Sequence, residues 1–208
     1  MKKIKQFMLI FTVIAVLVSC KKETRDQISN AKKEVKDATT IFNNAQSIQE
    51  KTEKLRQLTP LANDVLKSWL PNSVNGMERT GFKAGLSGYT NVGAISGTYK
   101  TDVDGEKKEF RVQIIDGAGN MGGLVMMGMG LMGKLETEVD DEYKHEQSVK
   151  NNGIEARQIY FKTKNNSNLK FVYKDRLGVE VTGINIGADE AWDLVDGLDL
   201  EELLKKTK

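Results

Sequence analysis

Between residues 109 and 114 apolar and polar side chains alternate strictly, with Phe110, Val112 and Ile114 facing one way and Glu109, Arg111 and Gln113 the other. Successive side chains of an extended chain point to opposite faces, so this segment buries one side and leaves the other wet. Asp104-Gly105 lies just upstream. A tight two-residue hairpin needs positive φ at both central positions, which Asp and Gly supply, so a strand from Val92 to Lys100 is predicted to turn back onto Lys108 to Asp116. Further runs of β-branched and aromatic residues predict strands at Met77 to Lys83, Glu142 to Val149, Ile154 to Lys164, Leu169 to Lys174 and Val179 to Ile186. Turns are expected at Asn151-Asn152-Gly153 and Asn165-Asn166, and connections this short favour antiparallel neighbours. The stretch Ala188 to Lys206 reads as one or two short helices whose Trp192, Leu194, Val195, Leu198, Leu203 and Leu204 cover the sheet.

Ahead of Asn72 the composition differs. Residues 23–58 contain neither Gly nor Pro and place Ile28, Ala31, Val35, Ala38, Phe42 and Ala45 at alternating steps of three and four, a helical stripe that then drifts to Ile41, Ile48 and Leu55. A helix of this length would reach roughly 50 Å at about 1.5 Å per residue. It is expected to fold back on its own domain, to stand as an exposed stalk, or to pair with a second copy as a coiled coil. The last has little area to bury, because alanines occupy alternate seam positions and Asn43-Asn44 interrupts them. Thr59-Pro60 reads as an N-cap followed by proline at the first helical position, opening a short helix with Leu61, Val65, Leu66 and Trp69 that Pro71 ends. The expected fold class is therefore α+β: a long N-terminal helix followed by an antiparallel β-sheet packed against helices.

The first twenty residues carry a different signal. Lys2, Lys3 and Lys5 precede an almost wholly apolar run from Phe7 to Val18, and small residues follow before the single cysteine, the three-part layout of a secretory signal peptide. About a dozen apolar residues are too few for a spanning helix, which needs about 20. Leu17-Val18-Ser19-Cys20 resembles the lipobox of bacterial lipoproteins. That resemblance implies that Cys20 acquires a diacylglycerol, that residues 1–19 are removed and that the new amino terminus is acylated. The chain would then be held to the membrane through Cys20. Lys21-Lys22, where an aspartate would signal retention in the inner membrane, implies the cell outer membrane. The bland alternative is a signal-anchor helix with an incidental cysteine. The expected organisation is a signal peptide over 1–19, a lipidated N-terminus and helical stalk over 20–58, and an α+β envelope domain over 59–208.

With Cys20 carrying lipid, no thiol remains for a disulfide or a nucleophile, and the fold must hold by its core. The chain has 31 basic and 29 acidic residues, and removing the signal takes three lysines, leaving 28 against 29. The apparent basicity thus belongs to the signal, and nothing marks nucleic acid as a partner.

Four features could carry chemistry. Gly117, Gly119 and Gly122 spell G-x-G-x-x-G. A dinucleotide site would need them inside a parallel βαβ unit with an acid about 20 residues on. Here the preceding strand belongs to a hairpin and the downstream acids fall in the polar cluster Glu136 to Glu142, so a strand-to-helix turn capped by Asp116 or Asn120 is preferred. From Met121 to Leu135, Met121, Met126, Met127, Met129 and Met132 alternate with Gly122, Gly123, Gly128, Gly130 and Gly133, and no polar side chain appears before Lys134. Three readings of 121–135 stay open: a core helix buried on all sides, Met-x-Met thioethers holding Cu(I), or a membrane-active element inserting shallowly. His145 is the only histidine, without partners for a metal or a serine elbow. Asp140, Asp141 and Glu142 could bind Ca²⁺ or serve as glycosidase carboxylates, but adjacent acids between a helix and a strand read first as a solvated turn. No residue is therefore assigned a catalytic, cofactor-binding or metal-binding role.

Ile114-Ile115-Asp116-Gly117-Ala118-Gly119, the Gly/Met segment, Gly178-Val179-Glu180-Val181 and Leu198-Asp199-Leu200-Glu201-Glu202-Leu203 are similar to a loose group of uncharacterised bacterial envelope proteins. The expected function is a non-catalytic binding or assembly module anchored in the envelope, with a protein, lipid or cell-wall partner and possible oligomerisation through the N-terminal helix. The alternative is an envelope hydrolase acting on glycan or peptide with carboxylates and His145. The lipobox resemblance is tested by metabolic labelling: radiolabelled palmitate should enter the wild-type chain and not Cys20→Ser, and an intact membrane-bound protein still beginning at Met1 would refute it.

Overall fold

The computed structural model describes residues 46–133 and 138–207, apart from the side chains of 124, 127 and 130–133. The lipobox, Cys20 and the stripe from Ile28 to Ala45 lie outside the described residues. In chain order the elements are α1 (46–56), α2 (Asn63–Trp69), β1 (Ser73–Val74), β2 (Met77–Ala84), β3 (Ala94–Val103), β4 (Glu106–Asp116) and α3 (Gly119–Gly133). There follow β5 (Glu138–Asp140), β6 (Lys144–Asn151), β7 (Ile154–Phe161), β8 (Asn166–Tyr173), β9 (Leu177–Ile184), α4 (Ala188–Asp196) and α5 (Leu200–Lys205).

The expected α+β class with a long N-terminal helix needs correction. One nine-stranded antiparallel sheet, in the order β1-β2-β3-β4-β9-β8-β7-β6-β5, dominates the described residues, and its helices are short. The long helix expected over 23–58 is not supported: residues 23–45 lie outside the described residues, and the described part of that stretch is helical from 46 to 56. Nor does this part behave as a stalk. Ile48, Thr52 and Leu55, spaced by four and three, are all buried, so α1 lays one face on the domain. The Thr59-Pro60 cap is also corrected. The next helix starts at Asn63 behind an extended Ala62 whose side chain makes no capping bond, and Pro60 instead lies against Gly119.

The sheet is two meanders, β1–β4 and β5–β9, sewn together where β4 pairs with β9. Tight turns set the registers: Asn75-Gly76, Asp104-Gly105 and Asn152-Gly153 all have positive φ at both residues, the geometry that matches strand twist. One face carries the main core. Tyr99, Phe110, Val112, Ile114, Leu169, Phe171, Val179 and Val181 are buried there beneath α2, α4 and α5, with Phe171 stacked on Trp192 at 5.4 Å between ring centroids. Each large side chain so buried contributes about 1.5 to 3 kcal/mol.

Among the described residues, the opposite face is covered at one end, by α3 and α1. From the end of β4 the chain must reach β5 at the far edge, five strand spacings away, or about 24 Å. A helix of 15 residues covers about 22 Å. The helix α3 is thus the crossover between the meanders, lying over β9, β8 and β7, and this placement explains why its inner residues are small or apolar. A Cβ on Gly122 would sit 2.5 Å from the Asp116 carbonyl oxygen, and one on Gly123 would sit 3.0 Å from Thr52 Cγ2 of α1. Met126 and Met129 are buried, and their sulfurs press on Gly178 of β9 so closely that a Cβ there would lie 2.6 Å from Met129 Sδ. Of the three readings of 121–135, these contacts make the inner side of the helix core.

At the junction of the meanders sits a buried ion pair. Asp116 is wholly buried, and Arg176 Nε and Nη2 donate to its two carboxylate oxygens at 2.9 and 3.1 Å. The Leu61 and Ala118 amides donate to the same carboxylate at 2.8 and 3.1 Å. The guanidinium also reaches the Thr59 carbonyl at 3.3 Å and the Thr207 carbonyl at 3.5 Å.

The packing of α3 yields a paired expectation. Gly122→Ala should lower stability by about 1 to 3 kcal/mol, because its Cβ meets backbone that cannot give. Gly128→Ala, with nothing within 4 Å of the added methyl, should raise stability by up to about 1 kcal/mol through helix propensity. Thermal unfolding of the two variants checks the order, and a Gly122→Ala as stable as Gly128→Ala would mean that α3 does not pack here.

Candidate functional site

The residues singled out from the sequence do not converge. Gly117, Gly119 and Gly122 follow β4, which pairs antiparallel on both sides, so the parallel unit that cradles a dinucleotide is absent from this part of the sheet. They serve close packing: a Cβ on Gly117 would lie 2.5 Å from Met126 Cγ and 2.8 Å from the Arg176 carbonyl oxygen. Asp116 accepts the Ala118 amide in the turn before α3, close to the capping role expected of it, but its main partner is Arg176.

The acids at 140–142 form the β5–β6 connection. Asp141 Oδ1 accepts the amides of Tyr143 and Lys144, both at 2.8 Å, and these backbone donors hold its carboxyl below the usual range. Asp140 takes a hydrogen bond from Lys162 Nζ at 2.5 Å, which lowers its carboxyl likewise. A general acid needs the opposite, a raised carboxyl pKa. His145 Nε2 lies 3.1 Å from Glu138 Oε1 across the β5–β6 pair, not beside a nucleophile. Among the described residues no three His, Cys, Asp or Glu side chains gather to hold a metal ion, and no helix is long and apolar enough to cross a membrane.

The feature that sequence reasoning missed is a cleft of about 720 Å³ beside α3. Four separate segments build it: one face of α1, the inner side of α3, the β6–β7 turn with the start of β7, and the β8–β9 turn. Ile48, Leu55, Met126, Met129 and Val172 supply the apolar lining, and Thr52, Asn152 and Glu155 line it beside them. Polar side chains stand at the mouth, where Lys51 Nζ of α1 meets Asp175 Oδ1 of the β8–β9 turn at 2.7 Å. Lys174 beside it contacts Glu201 Oε2 at 3.4 Å, the same oxygen that accepts the Tyr173 hydroxyl at 3.0 Å. That hydroxyl is pushed up, first by burial and then by its bond to Glu201. The one signal in the sequence that pointed here was the interleaving of glycine with methionine, which lets α1 and the sheet approach α3 closely while leaving flexible thioethers along the wall.

Beyond the cleft, the exposed end of the same sheet face is tied by ion pairs. Lys170 lies opposite Glu180 at 3.0 Å, Lys100 Nζ meets Glu109 Oε2 at 3.0 Å with Arg111 on its other oxygen, and Glu146 accepts from Lys144 at 2.6 Å and from Arg157 at 2.7 Å. Hydrogen bonds from Lys144 and Arg157 hold the Glu146 carboxyl below the ordinary glutamate range. For Glu109, burial pushes upward, but Lys100 and Arg111 together outweigh it and the net shift is down.

Comparison of the chain with family models, with curated proteins and with solved structures finds no match in any of the three.

A carboxylate whose folded pKa is lowered stabilises the fold above its unfolded pKa, about 4.3 for glutamate, and loses that contribution as pH falls through the folded value. Glu146→Gln should therefore lower the thermal midpoint at pH 7 by about 2 to 4 °C, the shift of ~1 kcal/mol in a domain this size. The two proteins should converge as the pH drops below about 4. A difference that persists unchanged into acid would show that Glu146 acts through packing and not through its charge.

Proposed function

We propose that this chain is a lipid-anchored protein of the bacterial cell envelope, held at the outer membrane through Cys20, and that its domain binds a partner without transforming it. The observation that carries the binding half is the cleft: about 720 Å³ floored by aliphatic and thioether side chains, within the range of about 300 to 1,000 Å³ common to ligand pockets. The ionisable groups suited to hydrolysis speak for the same reading. Asp140 and Asp141 are kept ionised by lysine and backbone partners, His145 pairs with Glu138, and all of them lie outside the cleft. The anchoring half rests on the lipobox resemblance at Leu17-Val18-Ser19-Cys20.

Two measurements test the halves separately. Density-gradient fractionation should place the wild-type protein with the outer membrane and Cys20→Ser in the soluble fraction; co-fractionation of both with the membrane would remove the anchor. The purified protein should release no fragments from labelled cell-wall sacculi, and release that disappears in His145→Ala would establish a hydrolase in place of a binding module.

A further inference from the structure

We propose that Asn152 is a site of spontaneous covalent modification, where the chain closes to a succinimide and reopens as aspartate or isoaspartate. Ring closure needs an asparagine followed by a residue whose backbone nitrogen can reach the side-chain carbonyl carbon, and glycine, with no Cβ in the way, permits this best. Asn-Gly occurs at Asn75-Gly76 and at Asn152-Gly153. The two turns are nearly copies of each other. Both are exposed hairpin tips of two residues, with φ of 45° and 83° at the first and 48° and 81° at the second. Both glycine amides stand outside the ladders, which end at the pairs Val74–Met77 and Asn151–Ile154. Nothing lies within 4 Å of a Cβ placed on either glycine, so both tips have room to move.

The turns differ in what holds the asparagine side chain. Asn75 Nδ2 donates to the Asp193 carbonyl at 2.9 Å, and its Oδ1 lies so near Gly197 that a Cβ there would be 2.8 Å away. That amide is held against the end of α4 and must leave it before Gly76 can attack. The Asn152 amide makes no hydrogen bond among the described residues and borders the open cleft. Asn165 and Asn166, in and beside the β7–β8 turn, are tied to Tyr160 and Asn185 and precede residues that carry side chains. Asn152 is thus the asparagine at which a free amide and a following glycine coincide. The step involves no redox change. Hydroxide takes the Gly153 amide proton, the nitrogen bonds to Asn152 Cγ, and the Cγ–Nδ2 bond breaks, the nitrogen leaving as ammonia with a proton returned through water. Water then opens the ring at Cγ to give aspartate, or at the backbone carbonyl to give isoaspartate, in which the chain runs on through Cβ and Cγ. Either product adds a carboxylate to a cleft lining that already holds Glu155 and Asp175. The isoaspartyl form also lengthens a two-residue turn by one backbone carbon, which changes the span that the Asn151–Ile154 pair must close.

The test ages the purified full chain in mildly alkaline buffer made with heavy-oxygen water, folded in one sample and unfolded in guanidinium chloride in another. Opening of the ring incorporates one water oxygen, so the tryptic peptides 151–157 and 68–79 report conversion by mass. Unfolded, the two Asn-Gly sites should convert at similar rates. Folded, Asn152 should convert about two- to tenfold faster than Asn75, the factor by which one hydrogen bond of ordinary strength holds an amide back. Fragment spectra should place the label at residue 152 and not at Asn151, and methylation by an isoaspartyl methyltransferase should mark the isoaspartyl share. Asn152→Gln, whose side chain would have to close a six-membered ring, should silence the 151–157 peptide and leave Asn75 unchanged. Should that variant misfold, the wild-type comparison decides alone. An Asn152 that stays intact in the folded protein would overturn the proposal, and so would equal folded rates at Asn75 and Asn152.

Discussion

The Asp116–Arg176 pair is the joint on which the rest of the molecule turns. Asp116 ends β4 and Arg176 precedes β9, the two strands that sew the meanders together, and their last register pair is Asp116 with Leu177. Around that carboxylate stand four donors: two from the guanidinium and one from the Leu61 amide, both distant in the chain, and one from the amide of Ala118 two residues on. Arg176 in turn gathers the carbonyls of Thr59 and Thr207. Taking two charges out of water costs several kcal/mol each, and an apolar pair of the same shape often does as well for stability alone. What the ion pair adds is direction. It accepts one arrangement of four segments, around residues 59–61, 116–118, 176 and 207, and leaves an uncompensated charge, at about 3 to 5 kcal/mol, in any arrangement that lacks a partner.

From that joint the position of the cleft follows. Asp116 hands the chain to α3, which must lie flat across the sheet to reach the far edge, and the glycines at 117, 122 and 123 allow it to lie close. The same carboxylate holds Leu61, and so fixes where α1 can sit: Thr52 and Arg56 rest on Gly123 while Ile48 and Leu55 reach past it. A helix packed on a helix packed on a sheet leaves a wedge wherever the hairpin turns rise beside it. Here Asn152-Gly153 and Lys174-Asp175 rise on that side, and the wedge between them is the cleft. Its walls are consequences of the crossover rather than of any local motif.

This is also why the sheet was readable in the sequence and the cleft was not. Alternation from Glu109 to Ile114 and the dipeptides Asp104-Gly105 and Asn152-Gly153 are local signals, and each strand they imply is present within a few residues. The weak signals failed. With two residues, β1 is too short to show a period, although Asn75-Gly76 beside it is a strong hairpin dipeptide. The three polar residues of β5 look like loop, and Lys174-Asp175 contains no glycine to announce a turn. The α+β reading failed because the long apolar stripe was weighed as a helix by itself, while its buried part, Ile48 to Leu55, is decided by contact with α3. Arg176 carried no signal at all: a lone arginine between two strands becomes a buried partner only when the fold brings Asp116 to it.

A nine-stranded antiparallel sheet has two edges and much open face, and each is a route to unwanted association. Here both edges are blunted. At one, β5 is three residues long and flanks its valine with Glu138 and Asp140; at the other, β1 is two residues long, and β2 inside it is irregular between Arg79 and Gly81 and carries Lys83. The uncovered face is polar and laced with Lys170–Glu180, Lys144–Glu146 and Arg157–Glu146 pairs. Exposed large apolar residues among those described, such as Phe82, Val103 and Tyr143, stand on β2, β3 and the β5–β6 connection. Among the described residues, the crossover that carries the chain from β4 to the far sheet edge is thus also what sets α1 and α3 side by side and leaves the recess between them, while the edges stay short or irregular and the open face stays charged.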